Sequence, residues 1–333
     1  MSNSANTSAG KRIEALLDDN SFVEIGAYVK ARNTDFNIQA KDTPSDGVIT
    51  GYGVINGGLV YVYSQDASVL GGSVGEMHAK KIASLYDMAM KTGSPVIGLI
   101  DSTGLRLQES VDGLNAFGQI YMKQSLASGV IPTITAIFGN CGGGLSIVAG
   151  LSDFTFMEVE NAQLFVNSPN AITENRKEIC DNASAKFQSE EAGNVDFVGT
   201  EAEVIEGIRN LVSVLPSNNE DEASDLECYD DLNRAAEGIE NCGEDTLLAL
   251  ENISDDGGPV PSAWLLPLLR RTQSLPDKPP AQCSPYSCRR LQNVPEDMAS
   301  GISSYPCRFP PHRETQQRNS CAFPVNRAMS LTP

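Results

Sequence analysis

Histidine is nearly missing from this chain: His78 and His312 are the only two in 333 residues. With one imidazole in the body, neither a Ser-His-Asp triad nor a His-rich metal site finds support. Basic residues are scarce too, 24 Lys and Arg against 43 Asp and Glu, and the net charge of −19 repels nucleic acid and anionic membranes. A small polyanion is still compatible, because salt screens the distant field within about 10 Å. No apolar run approaches the roughly 18 residues a membrane span needs. The segment from Met1 to Lys11 has no apolar core, so neither membrane insertion nor a signal peptide is expected. Cys141, Cys180, Cys228 and Cys242 stand too far apart for a short metal or redox motif, and the Cys283-x4-Cys288 pair is isolated among prolines. No metal is expected, and a reducing cytoplasm fits.

The average charge conceals a break. Residues 258–333 hold nine Lys/Arg against four Asp/Glu, which leaves 15 against 39 in residues 1–257. Thirteen of the 18 prolines also follow residue 257, and proline at that density is incompatible with helices or central strands. The expected organisation is a folded domain over 1–215, an acidic connector over 216–257 and a disordered tail over 258–333. The abrupt switch reads as an altered reading frame or a fused, unrelated segment.

Within the body, residues 10–19 place Ile13, Leu16 and Leu17 on one helical face. Gly47–Ile55 and Leu59–Ser64 read as two strands, and Asn56-Gly57 between them is a strong hairpin signal. From there the pattern alternates. A strand over 58–64 leads through Gly71-Gly72-Ser73 to a helix near 75–92. A strand over 95–100 leads through Gly104 to a helix ending near Ser128. A strand over 131–138 leads through Gly142 to a shorter helix, and Asp153–Met157 starts another strand. Strand starts recur at 58, 95 and 131. Parallel strands with right-handed crossovers bring successive loops to one rim, and ligands in such layers bind outside the carboxyl ends of the strands.

Two of these turns, Asp101-Ser-Thr-Gly104-Leu-Arg106 and Gly139-Asn-Cys-Gly142-Gly143-Gly144, each follow an apolar strand and open a helix. A strand that stops at glycine and restarts as a helix bares backbone N–H groups where the helix dipole favours negative charge. Two such turns brought together can hold the oxygen of a polarised carbonyl, which points to acyl-thioester chemistry through an enolate. The run Gly71-Gly-Ser-Val-Gly75 does not have dinucleotide-binding spacing.

At these residues the chain resembles the biotin-dependent acyl-CoA carboxyltransferases, the family of the propionyl-CoA carboxylase β subunit and of the methylmalonyl-CoA decarboxylase carboxyltransferase subunit. The matching segments are Tyr63-Ser-Gln-Asp66, Gly71–Lys81, Pro95–Glu109, Ala127–Pro132, Cys141–Gly144 and Asp153–Met157, within about residues 10–257. Thr103 and Leu105 stand where glycine and alanine are common, and Gly142 where alanine is common. The resemblance implies an α/β, crotonase-like fold, a repeated ββα superhelix. It corresponds to the half that binds acyl-CoA, while a second, similarly folded half binds biotin borne on a separate carrier protein. It implies that the N–H groups of Gly104 and Gly142 form the oxyanion hole, and that Gly71, Gly72, Ser73 and Gly143 lie against CoA. Lys80, Lys81 and Arg106 are candidates for the CoA phosphates, and the complete enzyme is expected to be a homo-oligomer. The expected reaction moves a carboxyl group between biotin and the α-carbon of an acyl-CoA. Released biotin can take the proton, so no side-chain base is needed. Two alternatives stay open. One is a truncated, catalytically silent acyl-CoA-binding module. The other is a crotonase-fold hydratase or isomerase, which needs a positioned carboxylate, for which Glu109 is the candidate. His78 reads as a helix-surface or capped residue and Cys141 as a small buried filler.

Overall fold

A computed structural model describes residues 6–32, 43–168 and 181–221. All of them fall in one compact unit. The expected tail and all but the first six residues of the expected connector lie outside the described residues.

The chain builds one mixed sheet flanked by helices. Strands β1 (Val23–Ile25), β2 (Val48–Ile55) and β3 (Gly58–Gln65) are antiparallel neighbours. Asn56 and Gly57 close the β2–β3 hairpin at φ 50° and 85°, the left-handed pair that matches strand twist. β4 (Val96–Ser102), β5 (Thr133–Gly142), β6 (Phe154–Glu158) and β8 (Phe197–Gly199) then add in parallel. β7 (Gln163–Phe165) joins only the last three residues of β5. β5 thus carries β6 beside Ile134–Ile137 and β7 beside Asn140–Gly142.

Strand alternation divides the core in two. Tyr61 and Tyr63 of β3, Val96 and Ile100 of β4 and Ile137 of β5 face one side. There they meet α2 (Glu76–Thr92), α3 (Ser110–Ala127) and α4 (Gly144–Leu151). Val60 and Val62, Ile97 and Leu99, and Ile134 and Ala136 face the other. That side is covered by α1 (Ser8–Leu16) and α5 (Glu201–Val214). Strand starts at 58, 96 and 133 sit within two residues of the expected ones.

Helix α5, absent from the sequence reading, starts with a capping box. The Thr200 hydroxyl accepts from the Glu203 N–H, and the Glu203 carboxylate accepts from the Thr200 N–H. Thr200→Ala should cost about 1 kcal/mol and lower the thermal midpoint by roughly 2–4 °C. A melting curve monitored by circular dichroism checks this; no shift would mean that packing alone sets the start of α5. Past its end, the Asn219 N–H reaches the Val130 carbonyl at 2.9 Å, so the first connector residues pack against the domain.

Candidate active site

The loops after β3, β4 and β5 meet at the carboxyl ends of the strands. The extension of β4 lies between the other two. On one side the Thr103 N–H donates to Gly71 O (2.9 Å), the Val74 N–H to Gly104 O (2.8 Å) and the Arg106 N–H to Val74 O (3.0 Å). Gly71 and Gly72 each have φ +64°, and a Cβ on Gly72 would strike the Asp101 carbonyl oxygen. These two glycines therefore serve the close approach of two loops. On the other side Ser102 pairs with Cys141. A Cβ on Gly104 would sit 3.4 Å from Gly142 O. The structure brings Gly104 and Gly142 together.

The direction of the individual amides refines the expected site. The Gly104 N–H donates to Ser102 Oγ at 3.1 Å, and that hydroxyl donates to Gly72 O at 2.6 Å. Gly104 thus spends its donor inside the loop. The Val74–Leu105 bridge turns Gly104 C=O and Arg106 N–H toward Val74. In extended backbone the intervening Leu105 N–H then faces the opposite edge, toward Gly142. It has no acceptor among the described residues. The Gly143 N–H is bound to Phe165 O at 3.0 Å, so the carbonyl of the same peptide, Gly142 O, points back toward β4. Gly142, as a strand residue, directs its own N–H the same way, where the Ser102–Cys141 pairing commits it to the Ser102 carbonyl. The inward-facing amide left without a strand partner among the described residues is that of Leu105, one residue along from Gly104 on the first loop. Which of two adjacent amides faces the site depends on a single bridge to Val74, a contact no local pattern encodes.

Arg106 does not reach a surface phosphate. Its side chain is 1% exposed. Nη1 donates to Asp46 Oδ1 (2.6 Å) and Glu109 Oε1 (2.9 Å), while Nη2 and Nε donate to Ser73 O (2.7 Å) and Ser73 Oγ (3.2 Å). Ser73 is buried with it and engaged by the guanidinium. Glu109 Oε2 accepts the Glu76 N–H at 2.6 Å, which commits that carboxylate at the start of α2 and removes it as the acid/base of a hydratase. Lys80 is half-exposed, and its ammonium rests on Glu76 at 2.7 Å. Lys81 turns inward, where its Nζ donates to the carbonyls of Ser45 and Val48, and burial lowers its pKa to about 8. Cys141 is fully buried, and burial pushes its thiol far above the ordinary range, as suits an inert filler.

His78 is buried rather than on the helix surface. Nδ1 lies 3.0 Å from Asp46 O and Nε2 3.1 Å from Gln65 Nε2, which assigns the proton to Nδ1. Burial first, and then the nearby Arg106 charge, lower its pKa to about 3. A base held neutral in the fold stabilises it fully above its unfolded pKa near 6.5, and that stability is lost as pH falls toward 3. Between pH 6.5 and 4 the loss is about 3 kcal/mol at roughly 1.4 kcal/mol per pH unit. Denaturant titrations from pH 7 to 4 should show it, and His78→Gln should flatten the profile; an equal slope in both proteins would assign the acid sensitivity elsewhere.

Beside the rim, α3 and α4 leave apolar side chains in solvent. Leu107 just before α3, Val111, Leu114, Met122 and Leu126 along α3, and Ile147 on α4 are exposed. Exposed apolar side chains that share one helix face are candidates for an interaction surface.

Among known families, the carboxyl transferase domain matches residues 4–247. The chain is 43% identical over 234 residues to methylmalonyl-CoA decarboxylase subunit alpha of Propionigenium modestum, covering 69% of this chain and 45% of that protein. It is 38% identical over 260 residues to the propionyl-CoA carboxylase beta chain of Roseobacter denitrificans, covering 75% and 51%. A transcarboxylase 12S core, solved with methylmalonyl-coenzyme A and methylmalonic acid bound, superposes with a TM-score of 0.66 at 36% identity, covering 70% of this chain and 46% of that one. The crotonase-like α/β fold expected from the sequence is the one these neighbours share. The chain spans about half the length of the curated relatives it matches.

Proposed function

This chain belongs to the carboxyl transferase domain family, and on that premise we propose that it is the acyl-CoA half of a biotin-dependent carboxyltransferase, of the acyl-CoA carboxylase or methylmalonyl-CoA decarboxylase class. The observation that carries this reading is the Leu105 N–H, without an acceptor among the described residues and turned toward Gly142 where two strand ends converge. When the α-proton of an acyl thioester leaves, the electron pair delocalises onto the carbonyl oxygen. A preorganised amide facing that oxygen binds it more strongly as charge grows, and so lowers the barrier. Decarboxylation of a malonyl-type thioester generates the same enolate in reverse. The residues fit this task in a specific way: this backbone donor sits beside Arg106, Asp46 and Glu109, which are buried and bonded to one another.

Carboxybiotin supplies the carboxyl group, and none of the described residues is assigned to hold it. Its site is proposed on a carboxyltransferase C-terminal half or second subunit within an oligomer, docked on the exposed apolar side chains of α3 and α4. Gly71, Gly72 and Gly143 line the same rim, where they are proposed to border the CoA. Lys80 is the proposed phosphate contact once it leaves Glu76. The domain is proposed to span residues 1–215, consistent with α5 ending at Val214. Among the described residues no helix is long and apolar enough to cross a membrane, and the proposed reaction is placed in the cytoplasm.

The test is transfer of labelled carboxyl from carboxybiotin to propionyl-CoA, with and without a separately expressed biotin-binding half. Transfer that depends on the added half supports the reading. CoA binding without transfer under both conditions favours a silent binding module.

A further inference from the structure

Arg106 is an expensive residue for its location. Burying a guanidinium with two carboxylates is often no better for stability than packing apolar groups of the same volume. What the cluster provides is geometry, and its target can be followed bond by bond. The peptide that carries the Leu105 N–H also carries Gly104 C=O, and that oxygen is held by the Val74 N–H at 2.8 Å. Val74 O in turn holds the Arg106 N–H at 3.0 Å. Val74 follows Ser73, whose carbonyl and hydroxyl are both gripped by Arg106 Nη2 and Nε. The other end of the guanidinium is fixed by Asp46 and Glu109, both with fully buried side chains. We propose that Arg106 is a positioning residue that sets the orientation of the Leu105 amide through Ser73 and Val74; this rests on the acyl-oxygen reading above.

A planar guanidinium delivers donors in several directions at once, whereas a lysine ammonium is a point charge on a flexible stem. Arg106→Lys therefore keeps a charge against Asp46 and Glu109 but loses the simultaneous hold on Ser73. A merely charge-neutralising role would survive the change; an orienting role would not.

Calorimetric titration of the full chain with two probes separates these outcomes. One probe is CoA. The other is a CoA thioether bearing a nitronate at the enolate position, which presents the same anionic oxygen. The unmodified chain should bind the nitronate at least tenfold tighter than CoA. Arg106→Lys should lose tenfold or more of nitronate affinity while its CoA affinity changes less than threefold. An unchanged nitronate preference, or an equal loss for both probes, would overturn the positioning role while leaving the acyl-oxygen reading in place. An unmodified chain without any preference overturns that reading, and the positioning role with it. If circular dichroism shows that Arg106→Lys does not fold, Ser73→Ala removes the Nε acceptor alone; a threefold to tenfold drop in preference is expected, and no drop would overturn the inference.

Discussion

Leu105→Pro should cut carboxyl transfer by roughly 10²–10³-fold, the usual consequence of deleting one oxyanion donor, while affinity for CoA changes only a few-fold. Proline removes the N–H, and at this position no protein hydrogen bond is lost with it, because that donor has no acceptor among the described residues. Its neighbour Gly104, at φ +95°, tolerates a following ring that would crowd a residue in the helical region. The side chain needs its own control, because Leu105 packs against the core on the α2–α4 side of the sheet. Leu105→Ala deletes that packing and keeps the amide, so it should lose stability but retain transfer within about tenfold of the parent. The equivalent change on the other loop is less informative. A Cβ on Gly142 would lie 2.5 Å from the Phe165 ring, so Gly142→Pro distorts β7 and also breaks the strand pairing beside Ser102. Steady-state kinetics in the presence of the second half decides the matter. Full turnover in a folded Leu105→Pro protein would move the oxyanion donor to another loop.

The central strands and their helices were legible because each repeats a strong local signal, a run of Val, Ile and Leu followed by glycine and then a helical stripe. Where that signal was short, the reading failed. β1, β7 and β8 are three residues each, too few for alternation to register. α5 is a different case: Thr200-x-x-Glu203, followed by Val204, Ile205, Ile208 and Leu211, announces a capped amphipathic helix, and that signal was available. The site divides along the same line. Glycine turns after strands mark the rim correctly, since the backbone needs them for close approach. The roles of charged residues were not legible. Lys80 and Lys81 are adjacent, yet one faces solvent and the other donates to buried carbonyls. Arg106 looks like any surface cation until Asp46, 60 positions earlier in the chain, arrives beside it. Burial of a charge is a long-range property, and local composition argues the opposite by default.

Asp46→Ala is expected to be the most damaging single change for stability, costing about 3–5 kcal/mol, because it removes one of the two carboxylates that hold the buried Arg106 and leaves the buried His78 N–H without its acceptor. Three features converge on this carboxylate. Oδ1 holds Arg106 at 2.6 Å, and Oδ2 accepts the His78 N–H at 2.8 Å. That N–H lies in the first turn of α2, whose N-cap, Gly75, offers no side chain, so Asp46 and Glu109 together replace the missing cap from elsewhere in the chain. Such carboxylates also complement the helix dipole. Finally, Ser45, Asp46 and Gly47 run through three successive positive φ values of 53°, 50° and 71°. Non-glycine residues adopt that conformation only when their surroundings enforce it, and the bonds of Asp46 are what enforce it here. At roughly 2–4 °C per kcal/mol, the thermal midpoint of Asp46→Ala should fall by about 6–20 °C. Asp46→Asn, which keeps the shape and one acceptor, should fall less. Burial already raises the Asp46 pKa despite the opposing pull of Arg106, so the neutral amide forgoes attraction but also avoids a desolvation cost. If the alanine variant melts within 2 °C of the parent, the cluster carries little stability, and Glu109 alone suffices to hold both Arg106 and the start of α2.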